Sequence, residues 1–254
     1  VRPVRKMMLG MLFGVFLFAL SACGLAEEVF RRDDLPTTLM ETRQKLRQGT
    51  VAVATELSNE SFLPSRTATF HGSGVVYDRD GDTYYVLTNF HNIEQKDYDE
   101  RIITIMTVLG EQSDAVLIHA APELDLAVLS FTSGAIDIEP IDIHTRRGDS
   151  LSRREFVLSA GYPSELRAVV TYGEYLGMST NDKVDFDIIA HSALIYPGNS
   201  GGALSDIHGN LVGINTWTAT NVNERYFAIP LDIIHTFLED AEIESGGLSW
   251  QTSS

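Results

Sequence analysis

With 254 residues, 44% of them hydrophobic and 21% charged, the chain is long enough to bury a sizeable core as one large domain or two small ones, and it is neither disordered nor fibrous. A formal charge of −16, from 19 Lys+Arg against 35 Asp+Glu, excludes nucleic acid as a partner, because phosphates must be met by lysine and arginine and no basic stripe is present. The same acid excess opposes adsorption onto anionic lipid headgroups.

Arg2, Arg5 and Lys6 precede an uninterrupted apolar run, Met7 to Leu20 ("MMLGMLFGVFLFAL"). This is the layout of a secretory signal, and the run is short for a membrane-spanning helix; an N-terminal anchor left in place is the alternative. Leu20-Ser21-Ala22-Cys23 resembles the lipobox of bacterial lipoproteins, which implies removal of residues 1–22 and attachment of lipid to Cys23. Two or more acyl chains anchor a protein stably where one does not. Cys23 is the only cysteine, so no intrachain disulfide is available. The implied address is the cell envelope, either lipid-anchored on the outer face of a bacterial membrane or in the periplasm.

Residues 23–49 read as a charged stalk ("GLAEEVFRRDDLP") followed by a short helix, Thr38 to Gln48, with Gly49 as its stop. From Thr50 the period changes. "TVAVATEL", "GSGVVYD", "TYYVLTNF", "RIITIMTVL", "DAVLIHA" and "DLAVLSF" are short β-rich runs separated by Gly, Asp, Asn and Pro. A second series follows the polar "IHTRRGDSLSRRE": "FVLSAGYP", "AVVTYGEYLGMS", "FDIIAHSA", "GALSD", "NLVGINTWT" and "YFAIP". "DIHGN" reads as a hairpin turn. Only "LDIIHTFLEDAEIE" near the end has helical spacing. The chain is therefore all-β, with two sets of about six strands, residues 50–145 and 146–254, forming two barrels or sandwiches, plus a short C-terminal helix.

No metal or cofactor is expected. There is no H-E-x-x-H motif, no second cysteine and no ligand-spaced histidine pair, and "GSGVVYD" lacks the third glycine of a phosphate loop. The stretch "YPGNSGGAL", Tyr196 to Leu204, is either a tight turn or a nucleophile's loop. Gly198-x-Ser200-x-Gly202 matches the elbow of α/β hydrolases formally, but that fold requires a helix directly after the serine, and a hairpin pattern follows instead. An esterase reading is correspondingly weak. Nucleophilic catalysis also needs an imidazole and a carboxylate. His91 stands where a β run breaks into a loop ("VLTNFHNI"), and Asp125 is polar at the start of an apolar run ("ELDLAVLSF").

Together, "GSGVVYD…YYVLTNFHNI", "ELDLAVL", "YPGNSGGALSDIHGNLVGINT" and "FAIPLD" resemble the protease domain of trypsin-like serine peptidases of the HtrA type, over about Thr50 to Leu238. The resemblance implies two six-stranded antiparallel β-barrels. It also implies His91 as general base, Asp125 as orienting acid, Ser200 as nucleophile, and the backbone N–H groups of Gly198 and Ser200 as the oxyanion hole. The primary specificity pocket would lie between Leu194-Ile195-Tyr196 and the strand from Gly213 to Trp217, including Asn215. Leu194 stands where trypsin has an acid, which points to cleavage after small or medium aliphatic residues. Protein or peptide substrates are the implied partners, and homo-oligomers are common in this family.

Three departures stand out. Asn199 replaces the aspartate that pairs with a new N-terminus in digestive relatives, so no zymogen cleavage is expected. Asn92 follows His91 where HtrA-type domains usually carry an apolar residue, and a polar side chain there is expected to loosen the packing behind the imidazole. The residues after "FAIPLDIIHTFLED" leave no room for a PDZ module, so PDZ-controlled switching is not expected. The competing class is a non-catalytic peptide-binding or chaperone-like module on the same fold.

Overall fold

The computed structural model describes residues 35–59, 66–134, 137–145, 151–163, 167–180, 182–218 and 225–244. The expected signal segment 1–22, Cys23 and most of the expected stalk lie outside these residues. The chain divides into two compact units, Val1–Met40 and Glu41–Ser254. Of the first, only Leu35–Met40 is described, as the opening turns of helix α1 (Leu35–Gly49). Pro36 is tolerated in that first turn because no intrahelical N–H is needed there, and Arg47 in the last turn complements the helix dipole.

In the larger unit α1 leads directly into β1 (Thr50–Asn59), and the first barrel continues through β2 (Arg66–Asp80), β3 (Thr83–Thr88), β4 (Glu100–Met106), β5 (Gln112–Ala121) and β6 (Leu126–Thr132). The sheet closes in the order β1-β2-β3-β6-β5-β4. Val51, Val53, Val76, Tyr84, Val86, Ile103, Ile105, Ala127, Leu129 and Phe131 fill its interior. Most are β-branched or aromatic, the side chains that pack well on a pleated surface. Register shifts at Val76/Asp78 and Leu117/His119 are the bulges that let long strands turn the barrel's corners.

The second barrel comprises β7 (Phe156–Gly161), β8 (Val169–Ser179), β9 (Ile188–His191), β10 (Ala203–Ser205), β11 (Leu211–Thr218) and β12 (Tyr226–Pro230). Its closed order, β7-β8-β9-β12-β11-β10, is the same path repeated. Val157, Tyr175, Ile189, Leu204, Val212 and Ala228 form its core. Helix α2 (Leu231–Glu244) then returns to the first barrel: Phe237, fully buried, lies 5.0 Å from the His119 ring, and His235 Nε2 is 2.7 Å from the Ile143 carbonyl. Burying a phenylalanine stabilises by about 2–3 kcal/mol, which makes this helix a clasp across the two barrels.

Candidate active site

Strand pairing brings two of the candidate residues together. Antiparallel β3 and β6 place Thr88 opposite Ala127, so the residues leaving β3 meet those entering β6 at one end of the barrel. The chain leaves β3 through Asn89 into a 3₁₀ turn, Phe90–Asn92. It enters β6 from a second 3₁₀ turn, Pro122–Leu124, closed by Asp125 in the left-handed region at φ 54°. Aspartate tolerates that conformation better than most residues because its short polar side chain finds local partners. Here the Asp125 carbonyl accepts from Phe90 N–H (3.1 Å) and Asn89 Nδ2 (3.0 Å).

The Asp125 carboxylate is buried and well supplied with donors. Oδ1 accepts from the His91 backbone N–H at 3.0 Å, and Oδ2 lies 2.8 Å from His91 Nδ1 and 2.9 Å from Thr216 Oγ1. An ionised carboxylate only accepts, so Nδ1 carries the hydrogen and Nε2 is the basic nitrogen. Among the described residues Nε2 has no hydrogen-bond partner, and the His91 side chain is 40% exposed.

Ser200 sits in a loop held by its main chain. Gly198 and Gly201 adopt φ of 95° and 87°, which side chains resist. Space forbids them too: a Cβ would lie 2.6 Å from the Tyr162 carbonyl oxygen at Gly198 and 2.0 Å from the Ser73 carbonyl oxygen at Gly201. The Gly198 carbonyl accepts from Ser73 Oγ (2.6 Å) and the Ser200 carbonyl from Ser73 N–H (2.7 Å). Asn199 N–H donates to Tyr196 C=O (3.0 Å), and Gly201 N–H donates to Asn215 C=O (2.8 Å). The N–H groups of Gly198 and Ser200 meet no acceptor among the described residues.

Ser200 Oγ donates to the Thr216 carbonyl at 2.8 Å, not to His91. The structure thus joins His91 to Asp125 and joins Ser200 to Thr216. Thr216 links the two pairs, its hydroxyl on the carboxylate and its carbonyl on the serine. Sequence reasoning misses Thr216, because a threonine within "GINTWT" gives no sign of which way it faces.

The pocket candidates divide by exposure. Leu194 and Tyr196 are exposed, Ile195 is buried, and the Leu194 carbonyl accepts from Thr171 Oγ1 at 2.7 Å. Trp217 is half-buried, with the Lys183 ammonium 5.2 Å from its ring centroid. Asn215 is fully buried, its Nδ2 donating to Ser159 Oγ (2.9 Å) and Ala203 C=O (2.8 Å), so its side chain braces β11 from within instead of facing a ligand. Asn199 is also fully buried, against Gly161. The looser packing expected at Asn92 is not found: the side chain is buried and donates to Thr88 Oγ1 (3.1 Å) and the Ser200 carbonyl (2.9 Å). A buried amide with both hydrogens bonded tightens its surroundings.

Among the described residues no group of three or more His, Cys, Asp and Glu side chains could hold a metal, and no helix is long and apolar enough to cross a membrane. Comparison with known proteins agrees with the geometry. The model of the trypsin-like peptidase domain family matches residues 72–214. The chain is 31% identical over 229 residues to the "Serine protease HtrA-like" proteins of Staphylococcus aureus strains USA300 and MRSA252; the match takes in 81% of this chain and 28% of each relative. The chain therefore spans only about a quarter of the length of the curated relatives it matches. Among solved structures it is similar to the serine endoprotease from Yersinia pestis, with a TM-score of 0.62 and 29% identity over 83% of this chain and 68% of that one. With the family model covering more than half of its length and both barrels closed in the corresponding fold, this chain belongs to the trypsin-like peptidase domain family.

Proposed function

We propose that the chain is a serine endopeptidase of the HtrA type acting on exported or misfolded proteins. Ser200 attacks the peptide carbonyl while His91 Nε2 accepts its proton and later delivers it to the leaving amine. Asp125 holds the tautomer and stabilises the imidazolium. The N–H groups of Gly198 and Ser200 receive the oxyanion, a stabilisation worth about 3–4 kcal/mol per donor. The observation that carries this reading is the 2.8 Å contact of Asp125 Oδ2 with His91 Nδ1, which leaves Nε2 without a partner among the described residues on a side chain that is 40% exposed. The exposed, apolar Leu194 supports cleavage after small or medium aliphatic residues; a peptide-library profile dominated by lysine or arginine before the cut would overturn that preference.

The test is covalent labelling of the full chain by a fluorophosphonate, with Ser200→Ala and His91→Ala as controls and mass spectrometry to locate the adduct. An adduct on Ser200 that both variants lose is the expected result. One observation favours a second reading, a peptide-binding module without turnover: the Ser200 hydroxyl rests on the Thr216 carbonyl. A folded chain that takes no label, yet holds unfolded peptide, would decide for that reading. The lipid tether at Cys23 is a separate part of the proposal, and incorporation of a tagged fatty acid that Cys23→Ser abolishes is its check.

A further inference from the structure

Asn92 shares its 3₁₀ turn with His91, yet it contacts different partners. Its carboxamide nitrogen has two hydrogens, and both are used: one on Thr88 Oγ1 at 3.1 Å, the other on the Ser200 carbonyl at 2.9 Å. Asn92 is 5% exposed, so these bonds are shielded from competing water. Thr88 Oγ1 in turn donates to the Ser73 carbonyl at 2.7 Å, and Ser73 N–H meets the same Ser200 carbonyl at 2.7 Å. Both donors to that carbonyl therefore come from the first barrel, and the N–H of the same peptide unit, that of Gly201, is held by Asn215 on the other side.

The space around the carboxamide is equally defined. A Cβ at Gly72 would stand 2.3 to 2.5 Å from all three of its terminal heavy atoms, and a Cβ at Gly201 would stand 2.9 Å from Nδ2. Two glycines far apart in the chain thus leave a slot that the amide fills, and it cannot swing aside without losing both bonds.

We propose that Asn92 is a positioning residue for the reaction: its side chain ties the turn bearing His91 to the carbonyl of Ser200, setting nucleophile and oxyanion donors in register with the base. The inference rests on the endopeptidase reading above. Acyl transfer needs Ser200 Oγ, Ser200 N–H and His91 Nε2 in one mutual geometry, and a displacement of about 1 Å costs roughly 100-fold in rate. An apolar residue of the same size would leave the Ser200 carbonyl with a single donor and free its peptide plane to tilt.

The experiment compares the full chain with Asn92→Leu, Asn92→Ala, the double variant Gly72→Ala with Asn92→Ala, and Ser200→Ala. For each, kcat and KM on an unfolded protein substrate, the rate of fluorophosphonate labelling and the melting temperature are measured. Asn92→Leu is expected to lower kcat by about 10- to 100-fold, with KM within about twofold and labelling slowed in proportion to kcat. The double variant refills part of the slot without a donor. It is expected to regain melting temperature relative to Asn92→Ala without regaining kcat. A kcat for Asn92→Leu within about twofold of the parent, or a kcat that recovers with stability in the double variant, would make Asn92 a space-filler and overturn the proposal. Turnover that survives Ser200→Ala would sink the endopeptidase reading, and this proposal with it. Loss in Ser200→Ala beside full activity in Asn92→Leu would sink the proposal alone.

Discussion

The two barrels follow one strand path but serve the site differently. The first offers side chains: the His91 imidazole, the Asp125 carboxylate, the Ser73 and Thr88 hydroxyls and the Asn92 amide. The second offers mainly main chain: the N–H groups of Gly198 and Ser200, the carbonyls of Gly198 and Ser200 that the first barrel grips, and the Thr216 carbonyl beneath the serine. Side-chain contributions can be removed one at a time. Main-chain contributions depend on glycines with positive φ and no room for a Cβ, so they fail through geometry. One half of the site is tunable by substitution, and the other is either right or wrong.

Substitutions can probe that division directly. The largest effect is expected from His91→Ala, which should lower kcat on the order of 10⁶-fold, with Ser200→Ala no more severe and the pair together no worse than either, because they act as one unit. Steady-state kinetics on the purified variants checks this. Asp125→Asn keeps the shape but favours the wrong tautomer, and a fall of about 10⁴-fold is expected, measurable by burst-phase titration and kcat. Gly201→Ala tests the main-chain half. It should cost roughly 100-fold in labelling rate through displacement of Ser200, and its melting temperature should drop as well, unlike that of Asp125→Asn.

A fourth prediction concerns the interior of the second barrel. His191 is fully buried in the second barrel. Burial pushes its pKa down to about 3, only partly opposed by the Ala193 backbone. The unfolded chain takes up this proton near the ordinary 6.5, so between those values it binds more protons than the folded chain. Stability from this residue is full above about pH 6.5 and is lost as pH falls towards about 3. Denaturant melts should show about 2 kcal/mol lost between roughly pH 7 and pH 5 that His191→Leu does not lose. The smallest effect is expected at Thr216, the second barrel's exception because it acts through a side chain too. Thr216→Val keeps the carbonyl under Ser200 and deletes the donor to Asp125, and about a tenfold loss of kcat would sharpen the division, while none would blur it.

Much of the fold is legible in the sequence, because period-two runs rich in Val, Ile, Thr and Tyr, cut by Gly, Asp and Asn, leave little freedom. The limits of elements are less so. β2 begins at Arg66, ahead of the apolar "GSGVVYD", since residues 66–71 are mostly exposed and are held in the strand by pairing with Ala54 to Asn59 of β1. Helix α1 begins at Leu35, before the expected Thr38, because Pro36 suits a first turn. The meeting of His91 with Asp125 is implied by the HtrA-type resemblance, with strand ends and residue types in keeping with it. The resting direction of the Ser200 hydroxyl, the bridge through Thr216 and the seat of Asn92 are not. Asn92 shows why: its meaning depends on Gly72 and on the carbonyl of Ser200, and nothing local in "FHNI" reveals either.

The bonds from Ser73 to the loop of Ser200 also bear on the order of events as the chain is made. The first barrel is complete in sequence before residues 198–202 exist, and its donors then have nothing to grip. The second half, when it arrives, holds the Ser200 loop only by its own bonds to Tyr196 and Asn215, and gains the bonds from Ser73 when it docks. Domains fold as units from the N-terminus during synthesis, so the site comes together only at the last joining. On the endopeptidase reading, a partly made chain carries the proposed catalytic residues without their shared geometry, and labelling of Ser200 would report that both halves have folded.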